Sequence, residues 1–205
     1  MKKIFLLLVL AAVSFAAYWL LIRKKETSEL APPPMSHIEL KKHSEKFNKG
    51  IDSIVDAYLE IKNAFVDADS TVAKAATRKF VLQLDKLSID ELKKDTTSIY
   101  ETAKGNLMDV KMNANSILQQ TDITEMRKDF SMVTEMMYPS FLTAIKYEGK
   151  KLYVAKCPMA FNETTAANWI SNSAEIINPY LGNNHPKYKS GMLNCGEVVD
   201  SIFAK

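Results

Sequence analysis

The chain has 205 residues, 47% hydrophobic and 25% charged; that length buries a core of its own, and two cysteines are too few for a disulfide scaffold. Its formal net charge of +3 comes from the first 25 residues, which hold five basic residues and no acid. The remainder is slightly acidic, which removes the electrostatic case for binding nucleic acid.

The first element is an apolar run. Ile4 to Ile22 contains no charge and is flanked by Lys2-Lys3 and Arg23-Lys24-Lys25. Its length matches a bilayer core, so residues 1–25 read as an uncleaved membrane anchor, with a signal peptide cut after Ser14-Phe15-Ala16 as the alternative. Residues 26–36 follow as a tether, in which Ala31-Pro32-Pro33-Pro34 predicts an extended polyproline spacer. Residues 37–205 are expected to form one helical domain: a bundle over 37–148 and a loop-rich lid over 149–205.

Four helical stripes follow the tether. Phe47, Ile51, Ile54, Tyr58, Ile61 and Phe65 recur at spacings of 4 and 3, predicting a helix over residues 37–67. Val72, Ala76, Phe80, Leu84 and Leu87 predict a second over 71–87. Ser88 and Glu91 have capping-box spacing and open a long third helix carrying Ile89, Leu92, Thr96, Ile99, Ala103, Leu107, Val110, Ala114 and Ile117. The fourth starts near Asp122 with Ile123, Met126, Phe130, Val133, Met137, Phe141 and Ile145, and Pro139 should break it after Tyr138. Stripes joined by short connections need one another for burial, so the expected fold is mainly α, an antiparallel four-helix bundle. Met108 and Met112 are expected in its core, and His37 and His43 in solvent without a role.

From Gly149 the texture changes, with four of the six glycines in the last 57 residues. Lys151–Ala155 alternates like a short strand, while 168–176 and 198–203 read as short helices over a loop-rich lid. This lid holds both cysteines, each with a methionine close by: Cys157-Pro158-Met159 and Met192-Leu193-Asn194-Cys195. Cys157 and Met159 share a face on extended chain, and Met192 and Cys195 share one on a helical turn. Thiolate and thioether are soft donors suited to Cu(I). His185, in the loop between the two pairs, would add an imidazole, and two thiolates with an imidazole also suit zinc. The bland alternatives are a Cys157–Cys195 disulfide, worth on the order of 3–4 kcal/mol in the chain-entropy model, and methionines that only fill the core. No glycine-rich phosphate loop, HExxH, GxSxG or CxxC occurs, so no enzyme is expected.

Leu152-Tyr153-Val154, Cys157-Pro158-Met159-Ala160, Asn168-Trp169-Ile170-Ser171, Glu175-Ile176, Asn178-Pro179-Tyr180-Leu181-Gly182 and Met192-Leu193-Asn194-Cys195-Gly196-Glu197-Val198 come in order. Together with residues 54–66, this series resembles a bacterial envelope family catalogued as a domain of unknown function. The same domain looks like one appended to the adaptor subunits of Cus-type heavy-metal efflux pumps. The resemblance implies an extracytoplasmic helical domain linked to copper or silver handling, with Cys157, Met159, Met192 and Cys195 as ligands. It also implies an envelope partner such as an efflux adaptor or pump. The loop 183–191 is longer than the family's usual link. The rival expectation is a disulfide-stapled interaction domain of the envelope, without metal.

Overall fold

The computed structural model describes Tyr18, residues 42–95 and residues 98–202. The anchor, the tether and His37 lie outside the described residues, apart from Tyr18. Among the described residues no helix is long and apolar enough to cross a membrane.

Among the described residues the domain is mostly helical, with four main helices followed by a small antiparallel sheet. Helix α1 (Glu45–Val66) begins where the Ser44 hydroxyl accepts from the Phe47 amide, so residues 42–44 of the expected helix over 37–67 are not helical. Asp69 caps α2 (Ser70–Lys86) and Asp122 caps α4 (Ile123–Glu135), each carboxylate accepting two amides of the first turn. Between α2 and α3 (Ile99–Gln119) the expected continuous helix fails. Asp90–Lys94 forms a single 3₁₀ turn, Asp95 is extended and Ser98 sits at φ 64°.

The cause lies in Glu91. Instead of turning back to cap at Ser88, its carboxylate accepts from the Ser44 amide and hydroxyl and faces His43 Nδ1 at 3.2 Å. His43 Nε2 lies 2.5 Å from the Ile145 carbonyl, and the His43 side chain is only 3% exposed. The expectation of a solvated, idle His43 is therefore corrected: it joins the start of α1 to two distant segments.

Pro139 acts as its sequence predicts. Tyr138 leaves helical geometry (φ −142°, ψ 132°), a π turn spans Met136–Phe141, and Leu142–Ala144 completes the run. Each helix packs beside its neighbour in sequence. The Tyr58 ring stacks on Phe130 at 5.0 Å between centroids, and Phe65 meets the same ring at 5.2 Å, so α1 also touches α4. All six stripe residues of α1 are buried. Met126 and Met137 are buried too, but Met108 and Met112 are 69% and 62% exposed, which overturns their expected place in the core.

The tail combines a small sheet with the expected loops, which run from 172 to 196, and the short strand expected over Lys151–Ala155 is the start of a longer one. Strands β1 (Leu152–Phe161), β2 (Thr165–Ser171) and β3 (Glu197–Ile202) pair antiparallel in the order β2-β1-β3. Both segments expected as short helices are replaced, 168–176 by the end of β2 and irregular chain, and 198–202 by β3, with Phe203 outside the described residues. The reason is pairing: Trp169 opposes Ala155 and Val198 opposes Ala155 from the other side, contacts that no local propensity encodes.

Edge strand β2 is covered by two tyrosines. The Ile170 amide donates to the Tyr58 hydroxyl at 3.1 Å, and the Tyr180 hydroxyl donates to the Asn168 carbonyl. Both backbone groups thereby find partners off the strand ladder, which blunts an edge that would otherwise invite pairing. Tyr58 in turn lies 2.6 Å from Thr134 Oγ1, which donates to the Phe130 carbonyl. The sheet is thus bolted to α1 and α4 by a buried hydrogen-bonded chain, and burial pushes the Tyr58 phenol well above its ordinary range.

Candidate site: a paired-thiol centre

Strand register explains why the two cysteines meet. Cys157 on β1 lies opposite Ala167 on β2, and the pairing of β1 with β3 ends at Lys156↔Glu197. The residues just ahead of β3, Cys195 and Gly196, must therefore arrive beside Cys157. Pro158 falls in the irregular stretch of β1 between Cys157 and Phe161, where an absent amide interrupts no regular ladder. The sulfurs of Cys157 and Cys195, 38 residues apart in sequence, approach to 3.5 Å as free thiols.

The Cys195 side of the pair is held by backbone contacts. Its amide donates to the Met192 carbonyl at 3.0 Å, so Met192 and Cys195 do share a tight turn. Asn178, fully buried, acts as a bracket: its amide donates to the Leu193 carbonyl and its Nδ2 to the Cys195 carbonyl at 2.7 Å. Its Oδ1 accepts the amides of Tyr180 and Leu181. With its carbonyl accepting the Gly182 amide, Asn178 makes five hydrogen bonds inside the fold. Gly196 completes the arrangement at φ 137°, where a Cβ would lie 2.7 Å from the Lys156 carbonyl oxygen and 2.9 Å from the Trp169 ring.

Burial and a neighbouring thiol disfavour the thiolate of Cys195. The Cys195 thiol is pushed up to about 11, first by burial and then by its hydrogen bond and charge interaction with Cys157. Met159 and Met192 are half-buried and pack against the hydrophobic core.

His185 is placed elsewhere. Its loop docks on the C-terminal end of α1: Asn183 donates from its amide to the Val66 carbonyl, and Asn184 from Nδ2 to the Asp67 carbonyl. The ring stacks on Tyr188 and its Nδ1 accepts the amides of Lys187 and Tyr188. Burial and then the Arg127 charge hold its imidazole below the ordinary range. Arg127 itself is buried, donates from Nη2 to the Phe65 carbonyl at 2.6 Å, and is lowered to about 10, chiefly by desolvation. Among the described residues no group of three His, Cys, Asp or Glu side chains is placed to hold a metal, so the Cys157, Cys195 and His185 set is not assembled.

The thiol pair has two chemical options. With metal–sulfur bonds of ~2.3 Å, tetrahedral ligation needs the sulfurs about 3.8 Å apart, so they would open by only about 0.3 Å to share one ion. A disulfide instead requires closure to about 2.05 Å. Sequence reasoning found both cysteines but missed Asn178 and Gly196 as their supports. The signal available was Asn-Pro-Tyr and Cys-Gly, short polar and glycine positions beside apolar residues.

Residues 54–147 match the family model described as "Protein of unknown function (DUF3347)". The match covers most of α1 through the end of the helical region and stops before β1, so the thiol pair lies outside it. It agrees with the expected domain of unknown function and carries no link to efflux adaptors. No curated protein and no solved structure matches the chain.

Proposed function

We propose that this is a membrane-tethered, extracytoplasmic helical domain that binds one soft metal ion, Cu(I) in the first place, through Cys157 and Cys195. In this reading it serves envelope metal handling as an accessory, beside an efflux adaptor or pump, and performs no turnover. The observation that carries the reading is the meeting of the chain's only two cysteines at 3.5 Å. Met159 and Met192 supply the supporting argument, since each is the close sequence neighbour of one thiol and packs half-buried against the core. Soft thioethers complete a thiolate pair without the charge that a hard ligand would add. The apolar run Ile4–Ile22 and the proline-rich tether support the placement outside the cytoplasmic membrane.

Titration of the reduced full chain with Cu(I) against a competing chelator tests this. One tight equivalent is expected in the wild type and none in the double variant Cys157→Ser, Cys195→Ser; equal affinity in both rejects the proposal.

A second reading has its own support. Cys157 is fully buried and faces only one other thiol, as in a structural bridge. The domain would then be a disulfide-stapled interaction module without metal. Free-thiol counting and metal analysis on protein taken from its native compartment separate the two: no free thiol and no metal favour the staple.

A further inference from the structure

The two sulfurs differ in access. Cys157 is 0% exposed, on a central strand between β2 and the run into β3, whereas Cys195 is half-buried on the turn that starts at Met192. The backbone at Cys195 is fixed from three sides, by the Asn178 side chain, by the Met192 carbonyl and by the close approach of Gly196 to Lys156. A reagent arriving from solvent therefore meets Cys195 first. Whatever becomes bonded to Cys195 leaves the Cys157 thiol as the neighbouring sulfur, since the backbone holds the two together.

We propose that the pair is a thiol–disulfide exchange site with a fixed order, in which Cys195 reacts with a low-molecular-weight disulfide and Cys157 resolves the adduct. The Cys195 thiolate attacks one sulfur of R–S–S–R; a Cys195–S–S–R bond forms, the R–S–S–R bond breaks, and the first RS⁻ leaves and takes up a proton. Cys157 then attacks Cys195 Sγ, forming the Cys157–Cys195 bond and releasing the second RS⁻, which takes up the proton that Cys157 gives up. The protein gives up two electrons and two protons, and one external disulfide becomes two thiols. The proposal rests on the reading of this pair as the working site and adds that its metal-binding form is switched off by oxidation.

The test uses the reduced, metal-free full chain with oxidised glutathione, followed by intact-mass and peptide mass spectrometry. Cys157→Ser is expected to accumulate one glutathione on Cys195. Cys195→Ser is expected to gain adduct on Cys157 at least tenfold more slowly. The wild type should proceed to the internal disulfide with no lasting adduct. Equal rates at the two cysteines, or a stable adduct in the wild type, overturn the proposal. A brief iodoacetamide pulse on the native wild type gives the same order without a variant: label on Cys195 before Cys157 is expected, and the reverse overturns it. Cu(I) titration of the dithiol form is scored separately. If that form binds no Cu(I) while the order of reaction holds, the metal reading falls and the exchange site stands.

Discussion

Replacing Tyr58 by phenylalanine removes a single oxygen from the bolt between the sheet and the helices. That hydroxyl accepts the Ile170 amide at 3.1 Å and lies 2.6 Å from Thr134 Oγ1, in surroundings where Tyr58 is 0% and Ile170 1% exposed. The aromatic ring, stacked on Phe130 and edge-on to Phe80, is kept by the substitution. Thr134 keeps its bond to the Phe130 carbonyl. The uncompensated loss is therefore one buried N–H, which costs about 1–3 kcal/mol. Taking about 2 kcal/mol and a urea slope of about 2 kcal/mol per molar, the midpoint should fall by about 1 M with the slope unchanged. Amide hydrogen exchange should show Ile170 losing protection more than buried amides of α1, because the edge of β2 is freed first. Tyr58→Leu, which also forfeits the ring contacts, should cost more than Tyr58→Phe. A midpoint within about 0.2 M of wild type, with Ile170 protection intact, would refute the assignment of Tyr58 as the cover of the β2 edge.

Other predictions concern the thiol centre and the surface. Because the Cys195 proton must leave before sulfur binds metal, and that thiol is raised to about 11, Cu(I) affinity should climb at least about tenfold per pH unit from pH 6 to 9. A flat chelator-competition profile over that window would contradict thiolate ligation. Asn178→Ala leaves the Tyr180 and Leu181 amides and the Cys195 carbonyl without their partner and should destabilise by about 2–4 kcal/mol in urea unfolding; a loss under about 0.5 kcal/mol would count against the bracket. Gly196→Ala drives a Cβ to 2.7 Å from the Lys156 carbonyl oxygen at φ 137°. It should weaken metal binding and slow closure of the internal disulfide, both checked on the purified variant. The double change Met108→Gln, Met112→Gln falls on an exposed helix face and should move stability by no more than about 0.5 kcal/mol, while a larger loss would mean these thioethers are covered.

What the sequence determined by itself was the local periodic part. The stripe from Phe47 to Phe65 is buried as its spacing predicted, Asp122 caps the fourth helix, and the chain breaks at Tyr138 ahead of Pro139. These features depend on residues within a turn or two of one another, so their physics is written in a short window. The pairing of Cys157 with Cys195 was legible only as one possibility among several. Tertiary structure decided the rest. Glu91 had the spacing of a capping residue but found Ser44 and His43 across the fold, and the third helix lost its first turns. Ala167 to Ile170 became a strand because β1 supplied a ladder and Tyr58 and Tyr180 covered its edge. The thiol contact itself follows from the register of β3 on β1, which sets Gly196 and Cys195 beside Cys157. Register is a choice among pairings separated by one residue, and it is made by the burial of whole faces that a linear reading cannot sum.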